Sequence, residues 1–164
     1  MNRQPRIGSL FSGYGGFSLA FERHGFRTAA FAEIDRFAAG IGNSGGLASF
    51  IGKVRGDGGV EALELSHYEP LTLPGMRALA EAARVRFDIG GLLMLHRIGR
   101  LEPDEPIVCV AATARHRRAA FDAVDFAMDH LKSDSWFWKR ERRGGVWTWI
   151  EPREQDHADL ARWR

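Results

Sequence analysis

Residues 106–132 read PIVCVAATARHRRAAFDAVDFAMDHLK, and the change of period inside this stretch decides the fold. The run PIVCVAA is apolar without alternation, which predicts a strand buried on both faces. From Ala119 to Leu131 the period becomes helical. Phe121, Val124, Met128 and Leu131 then share one face toward a core, while Asp122, Asp125 and Asp129 are expected to face water. A buried strand that feeds an amphipathic helix implies a sheet covered by helices.

Working outward, glycines punctuate further elements. Gly40, Gly42, Gly45 and Gly46 precede a strand LASFIGKV, and RGDGG predicts a turn into VEALELSHY, so residues 47–68 read as a hairpin. Residues Pro70 to Gly75 read as a loop. Met76, Leu79, Ala80, Ala83 and Phe87 then give a helix face, and LLMLHRI and WTWIE add strands. The expected class is α+β, with no repeat and no low-complexity segment. At 164 residues, with 45% hydrophobic and 27% charged residues, the chain can bury one modest core without splitting in two.

The same stretch carries a chemical signal. His116, Arg117 and Arg118 fall where the long helix starts, and cations there oppose the helix dipole unless an anion joins them. Lys132 ends the helix and Lys139 follows in an aromatic setting, so the whole outlines an anion site. Solvated arginines are the plain alternative for Arg117 and Arg118. The formal charge of +2 is too small to argue for nucleic-acid binding, although a local cationic pocket needs no large total. There is no apolar run near 18 residues and no secretory start, so a soluble cytoplasmic protein with no membrane partner is expected. The single cysteine, Cys109, lies in the buried strand; one cysteine excludes a disulfide framework and a zinc cluster.

The blocks GGLASFIGKVRGDGGV, LELSHY, LLMLHRIGRLEPDEPIVCVAATARHRRAAF, MDHLKSDSWFWKRE and VWTWIEPRE together resemble the large, catalytic subunit of molybdopterin synthase. The resemblance covers about residues 33–163. It implies an α/β-hammerhead-like domain with an additional antiparallel sheet, over residues 36–164. It also implies an activity in molybdenum cofactor biosynthesis: cyclic pyranopterin monophosphate receives two sulfurs to form the molybdopterin dithiolene. The sulfur comes from the C-terminal Gly-Gly thiocarboxylate of a small ubiquitin-like carrier subunit, and no metal or other cofactor is needed. A buried Cys109 suits an enzyme that receives sulfur from elsewhere.

Matching blocks give residues their roles. Lys53, Val54 and Arg55 match the substrate block GKVR, His116 and Arg117 match a His-Arg pair, Arg140 and Glu141 complete the Lys-Arg-Glu block, and Arg153 matches a further pocket arginine. Lys132 and Lys139 are the catalytic candidates, because a lysine crowded by cations loses proton affinity and gains acid-base use near neutral pH. The resemblance further implies a homodimer binding two small subunits, with His116, Arg117 and Arg153 available to the neighbour's pocket. His67 and His96 read as structural histidines. Trp136, Phe137, Trp138, Trp147 and Trp149 could stack a pterin but read mainly as core or subunit contact, with Trp147 and Trp149 on one strand face.

The start of the chain differs. RIGSLFSGYGGFSLAFERHGFRTAAFAEID resembles the S-adenosylmethionine-binding start of a DNA cytosine-5 methyltransferase, with Phe11, Gly13, Gly15 and Gly16 matching its first motif and Glu33 the ribose-binding acid. As a reading of the whole chain this fails. No Pro-Cys nucleophile follows, since Val108 precedes the only cysteine, and about 35 residues cannot complete the sheet. The segment 1–35 is therefore expected to be an atypical start, neither an independent domain nor a working methyl-transfer module. Two functional classes remain: the sulfur-transfer enzyme, and an inactive scaffold or S-adenosylmethionine-binding remnant of a chimeric chain.

Overall fold

The computed structural model describes Phe37, Gly42 and residues 44–133 and 136–164. The methyltransferase-like segment and its Phe11, Gly13, Gly15, Gly16 and Glu33 lie outside them. Among the described residues the order is β1 (Gly46–Lys53), a 3-10 turn (Asp57–Gly59), β2 (Val60–His67), α1 (Glu69–Arg86), β3 (Ile89–His96), β4 (Gly99–Leu101), β5 (Pro106–Ala114), α2 (Arg117–Ser133), β6 (Phe137–Arg143), β7 (Val146–Ile150) and α3 (Glu154–Ala161). The architecture is α+β, as expected.

The strands form two antiparallel sheets, one in the order β1-β5-β3 and one in the order β4-β2-β6-β7. β5 is the centre of the first, and every residue from Val108 to Ala114 is buried. One face meets α2 and the second sheet in the main core, through Val110 and Ala112. The other meets a smaller cluster with Leu93, Leu95 and Phe37, through Cys109 and Ala111. That double burial is why PIVCVAA shows no alternation.

β1 and β2 do not form the expected hairpin. β1 pairs with β5, from Gly46 opposite Ala114 to Lys53 opposite Pro106, whereas β2 pairs with β4 and β6. The glycine-rich turn carries the chain from one sheet to the other. The true tight hairpin is β6-β7, where Gly144 and Gly145 both have positive φ (52° and 78°), the backbone that a two-residue loop demands.

The expected loop at residues 70–75 is helix. Pro70 sits in the first turn, where its missing N-H costs nothing, and the N-H groups of Leu71 and Thr72 donate to the Tyr68 carbonyl at 2.9 Å. Gly75 then allows a close approach: a Cβ there would run into the Trp136 indole.

The long helix spans Arg117–Ser133, and its buried face differs from the expected one. Ala120, Ala123, Val124, Ala127 and Leu131 lie inward, the alanines letting the helix sit close to β5 and β1. Phe121 is 56% exposed. Asp129, expected in water, is buried and accepts from Arg162 Nε (3.1 Å), Arg162 Nη2 (2.7 Å) and Trp163 Nε1 (2.6 Å). The reason is α3, which packs on that side of α2 and brings the C-terminal residues over it.

Candidate active site

A cleft of about 740 Å³ opens between the two sheets and the C-terminal half of α2. Its wall takes Lys53, Val54 and Arg55 from the end of β1, Lys132 from α2, Lys139, Glu141 and Arg143 from β6, and Arg153 from the start of α3. Six basic side chains therefore face two acidic ones, Asp57 and Glu141, among its lining residues. Phe50, Ile51, Leu65, Ile107 and Leu131 supply apolar wall. A net positive cleft with apolar sides suits an anionic ligand that also carries a flat or aliphatic part.

Each cation is placed by local structure. Val54 is buried and clamped at both backbone groups, its N-H donating to the Glu105 carbonyl (2.9 Å) and its carbonyl accepting from Asp104 N-H (3.0 Å); this sets Lys53 and Arg55 on either side. Lys132 lies at the end of α2, with Nζ 3.3 Å from Asp156 Oδ1. Lys139 alternates with Arg140 on β6, so Lys139 faces the cleft while Arg140 turns the other way. Burial lowers the proton affinity of Lys139 first; nearby Asp156 works against that and the Lys132 charge adds to it. Lys139 thus sits below the ordinary lysine range, and burial, more than the crowding by cations that the sequence suggested, is the main cause.

Asp156 is the acid behind these lysines. Burial alone would raise its pKa, but the Arg153 N-H, the charge and hydrogen bond of Lys132 and the charge of Lys139 together hold it below the usual value. Glu141 is occupied by Arg143, whose Nε and Nη2 donate to it at 3.1 and 2.7 Å. Arg143 also donates to the Gly58 and Asp57 carbonyls, which fixes the 3-10 turn at the cleft rim.

Not all the proposed residues meet. His116 and Arg117 are exposed at the start of α2, and about 22 Å of helix separates Arg117 from Lys132. Within one chain, the His-Arg-Arg cluster and the lysines therefore form no common anion site. Arg118 pairs along the helix with Asp122 at 3.6 Å. Arg140 does not line the cleft. Its guanidinium grips Glu64 at 2.6 and 2.8 Å and lies against Trp147 and Trp149, with centroid distances of 4.8 and 5.7 Å.

Two lining or supporting residues escaped the sequence reading, Asp156 and Arg143, and His96 lines the cleft as well. Asp156 had a signal, an acid three residues past Arg153, where an N3 carboxylate can reach back to the N-cap N-H, and that bond is present at 3.0 Å. His96 is buried at the cleft floor and stacks on Phe137 (3.8 Å, 11° between planes), with Nδ1 2.8 Å from the Arg97 carbonyl. Burial pushes its pKa down to about 3, so it is neutral. Cys109 is buried and pushed up to about 11, which makes it a poor nucleophile. Among the described residues no cluster of three His, Cys, Asp or Glu could hold a metal, and no helix is long and apolar enough to cross a membrane.

A two-sheet α+β domain with a cationic cleft, and with its one cysteine among the described residues buried, defines a class: a protein fitted to bind an anionic ligand. Comparison narrows the class. The chain belongs to the MoaE protein family, whose model matches residues 26–134. The molybdopterin synthase catalytic subunit of Cereibacter sphaeroides is 44% identical over 133 residues, 80% of this chain and 91% of that protein. That of Ralstonia nicotianae is 43% identical over 135 residues, 80% and 77% of the two chains. The solved molybdopterin biosynthesis MoaE protein from Burkholderia ambifaria superposes with a TM-score of 0.74 at 35% identity, covering 91% of this chain and 97% of that one. A second family, C-5 cytosine-specific DNA methylase, matches residues 6–41 only, so the two matches overlap over residues 26–41.

Proposed function

We propose that the chain is the catalytic subunit of a molybdopterin synthase, acting in molybdenum cofactor biosynthesis. It transfers sulfur from the C-terminal thiocarboxylate of a small carrier subunit to cyclic pyranopterin monophosphate. The observation that carries this reading is the convergence of Lys53, Arg55, Lys132, Lys139 and Arg153 on one cleft with Lys139 partly stripped of its proton affinity. A phosphate on the pterin and a thiocarboxylate on the carrier tail are both anions, and the cleft can hold both charges. Arg55 offers a bidentate phosphate contact.

In the reaction, the thiocarboxylate sulfur bonds to the pterin side chain while a carbon-oxygen bond there breaks and the oxygen leaves. Water then cleaves the bond between the carrier's acyl carbon and the sulfur, which releases the carrier as a carboxylate, and a second thiocarboxylate repeats both steps for the second sulfur. Lys139 Nζ supplies the proton that the leaving oxygen needs, beside the terminal carbonyl of the tail, and Lys132 offsets the thiocarboxylate charge. Val54 shapes the wall and Glu141 holds Arg143 in place. Arg140 acts indirectly, by fixing β6 through Glu64. Cys109 takes no part.

The remaining basic residues fit a homodimer, in which His116 and Arg117 reach the neighbour's cleft from the far end of α2. The domain is formed by residues 36–164, the segment 1–35 performs no methyl transfer, and the protein works in the cytoplasm. Calorimetry with S-adenosylmethionine tests the segment: tight binding would overturn this part.

The direct test incubates the purified chain with cyclic pyranopterin monophosphate and a thiocarboxylated carrier and follows dithiolene formation. Product from the parent, with turnover lowered by roughly a hundredfold or more in Lys139→Ala and Lys132→Ala, is the expected result. No product from the parent would leave a scaffold in its place.

A further inference from the structure

Asp156 touches more of the cleft's machinery than any lysine does. Its Oδ1 holds Lys132 Nζ at 3.3 Å, and its Oδ2 accepts from the Arg153 N-H at 3.0 Å. Its backbone carbonyl accepts from Ser133 Oγ at 3.0 Å, next along α2 from Lys132. One residue therefore ties the end of α2 to the start of α3, and both tied neighbours, Lys132 and Arg153, line the cleft. The Asp156 side chain is only 17% exposed, against 47% for Lys132, so the ion pair is anchored on the acid. Lys139 lies within the field of the same carboxylate but has no ion pair with it among the described residues.

The two lysines are thus unequal. Lys132 is bound to a fixed anion that holds its side chain in one place. Lys139 is more deeply buried, unpaired and next to that fixed cation, which is the setting that loosens a proton. The groups that act on it are Lys132 from α2, Asp156 from α3 and His96 from β3. His96 is neutral and adds no charge.

We propose that Asp156 is a positioning residue of the sulfur-transfer site: it fixes the place of Lys132 through their ion pair, registers Arg153 beside it, and leaves Lys139 as the lysine that moves the proton. This rests on the functional reading above. The division of labour follows: Lys132 neutralises the incoming thiocarboxylate, and Lys139 protonates the leaving oxygen.

The test uses the full chain with Asp156→Asn and Asp156→Glu. Asparagine keeps an oxygen that can accept the Arg153 N-H, so α3 stays capped while the charge is removed. Three quantities are read: kcat and KM for dithiolene formation, the melting temperature, and the pH titration of the Lys139 side chain by NMR on lysine-labelled protein. Expected for Asp156→Asn is a kcat lowered by about tenfold to a hundredfold with the melting temperature near the parent's. The Lys139 titration moves to lower pH, because the carboxylate that supported its charge is gone. Asp156→Glu, which keeps the charge, recovers part of kcat and moves the titration back. A kcat within twofold of the parent would overturn the proposal. So would a loss of kcat that only follows a fall in melting temperature while the Lys139 titration stays put, the mark of a helix cap alone. If the parent itself makes no dithiolene, the functional reading fails, and the Lys139 titration still decides whether Asp156 acts on the lysine.

Discussion

Replacing Asp129 by alanine should unfold the molecule more easily and disturb the cleft from a distance. Asp129 is 7% exposed and accepts three hydrogen bonds, two from Arg162 and one from the Trp163 indole. The Arg162 side chain is 47% exposed and keeps Asp125 at 2.8 Å, so its loss is discounted to under about 1 kcal/mol. The indole N-H is left without its acceptor inside a cluster with Phe87 and Phe126, at about 1–2 kcal/mol. The sum is roughly 1–3 kcal/mol, or a melting temperature lower by about 2–12 °C for a chain of this size.

Urea melts at constant m-value would read the change directly. Asp122→Ala is the control, because its partner Arg118 is 79% exposed and the pair is 3.6 Å long; a change within about 0.5 kcal/mol is expected there. Since Arg162 and Trp163 hold the chain end that carries α3, Asp129→Ala should also lower turnover through Arg153 and Asp156, far from any contact with substrate. Equal melts for the two variants would refute the argument, because Asp129 would then be the solvated residue that its helical position suggests.

Gly75→Ala should destabilise by about 1–3 kcal/mol, since the new methyl meets the Trp136 indole; an unchanged calorimetric melt would show that Trp136 can yield. His96 should make stability fall in acid. Its folded pKa of about 3 lies below the ordinary 6.5, so the unfolded chain takes up the proton first, and roughly 2 kcal/mol is lost between neutrality and pH 5. His96→Gln should flatten that slope in pH-dependent melts. In a homodimer with shared clefts, mixing Lys139→Ala with Arg117→Ala chains should restore about a quarter of parental turnover, because half the dimers are mixed and each of these has one intact cleft. Mixtures that stay inactive, or a monomer by light scattering at micromolar concentration, would place both residues in one chain's cleft or neither.

The β5-α2 unit was legible because its signal is local. A strand with two covered faces and a helix with one covered face differ in period, and both periods are written in adjacent residues. The β1-β2 hairpin was misread for the complementary reason. Neighbouring strands joined by a glycine turn usually pair, but β1 takes β5 as its partner and β2 takes β6, each far along the chain. Nothing in LASFIGKV or VEALELSHY marks that choice. The exposure of Phe121 and the burial of Asp129 have a similar cause, since the side of α2 that is covered depends on where α3 lands.

For the cleft, the sequence carried the charges but not their sorting. Lys53, Arg55, Lys132, Lys139 and Arg153 do converge. Yet Arg140, next to Lys139 on β6, points to the opposite face and serves Glu64 and two tryptophans, as strand alternation requires once β6 is known to be a strand. His116 and Arg117 share a helix with Lys132 but sit at its other end. A run of basic residues in sequence is therefore divided three ways in space: into the cleft, onto the back of the sheet, and toward a face that only a second chain could bring to a cleft. Acids do the dividing. Asp156, Glu64 and Glu141 each engage one cation and set its direction. Lys139, with no such partner among the described residues, is left facing the cleft with its proton loosened by burial.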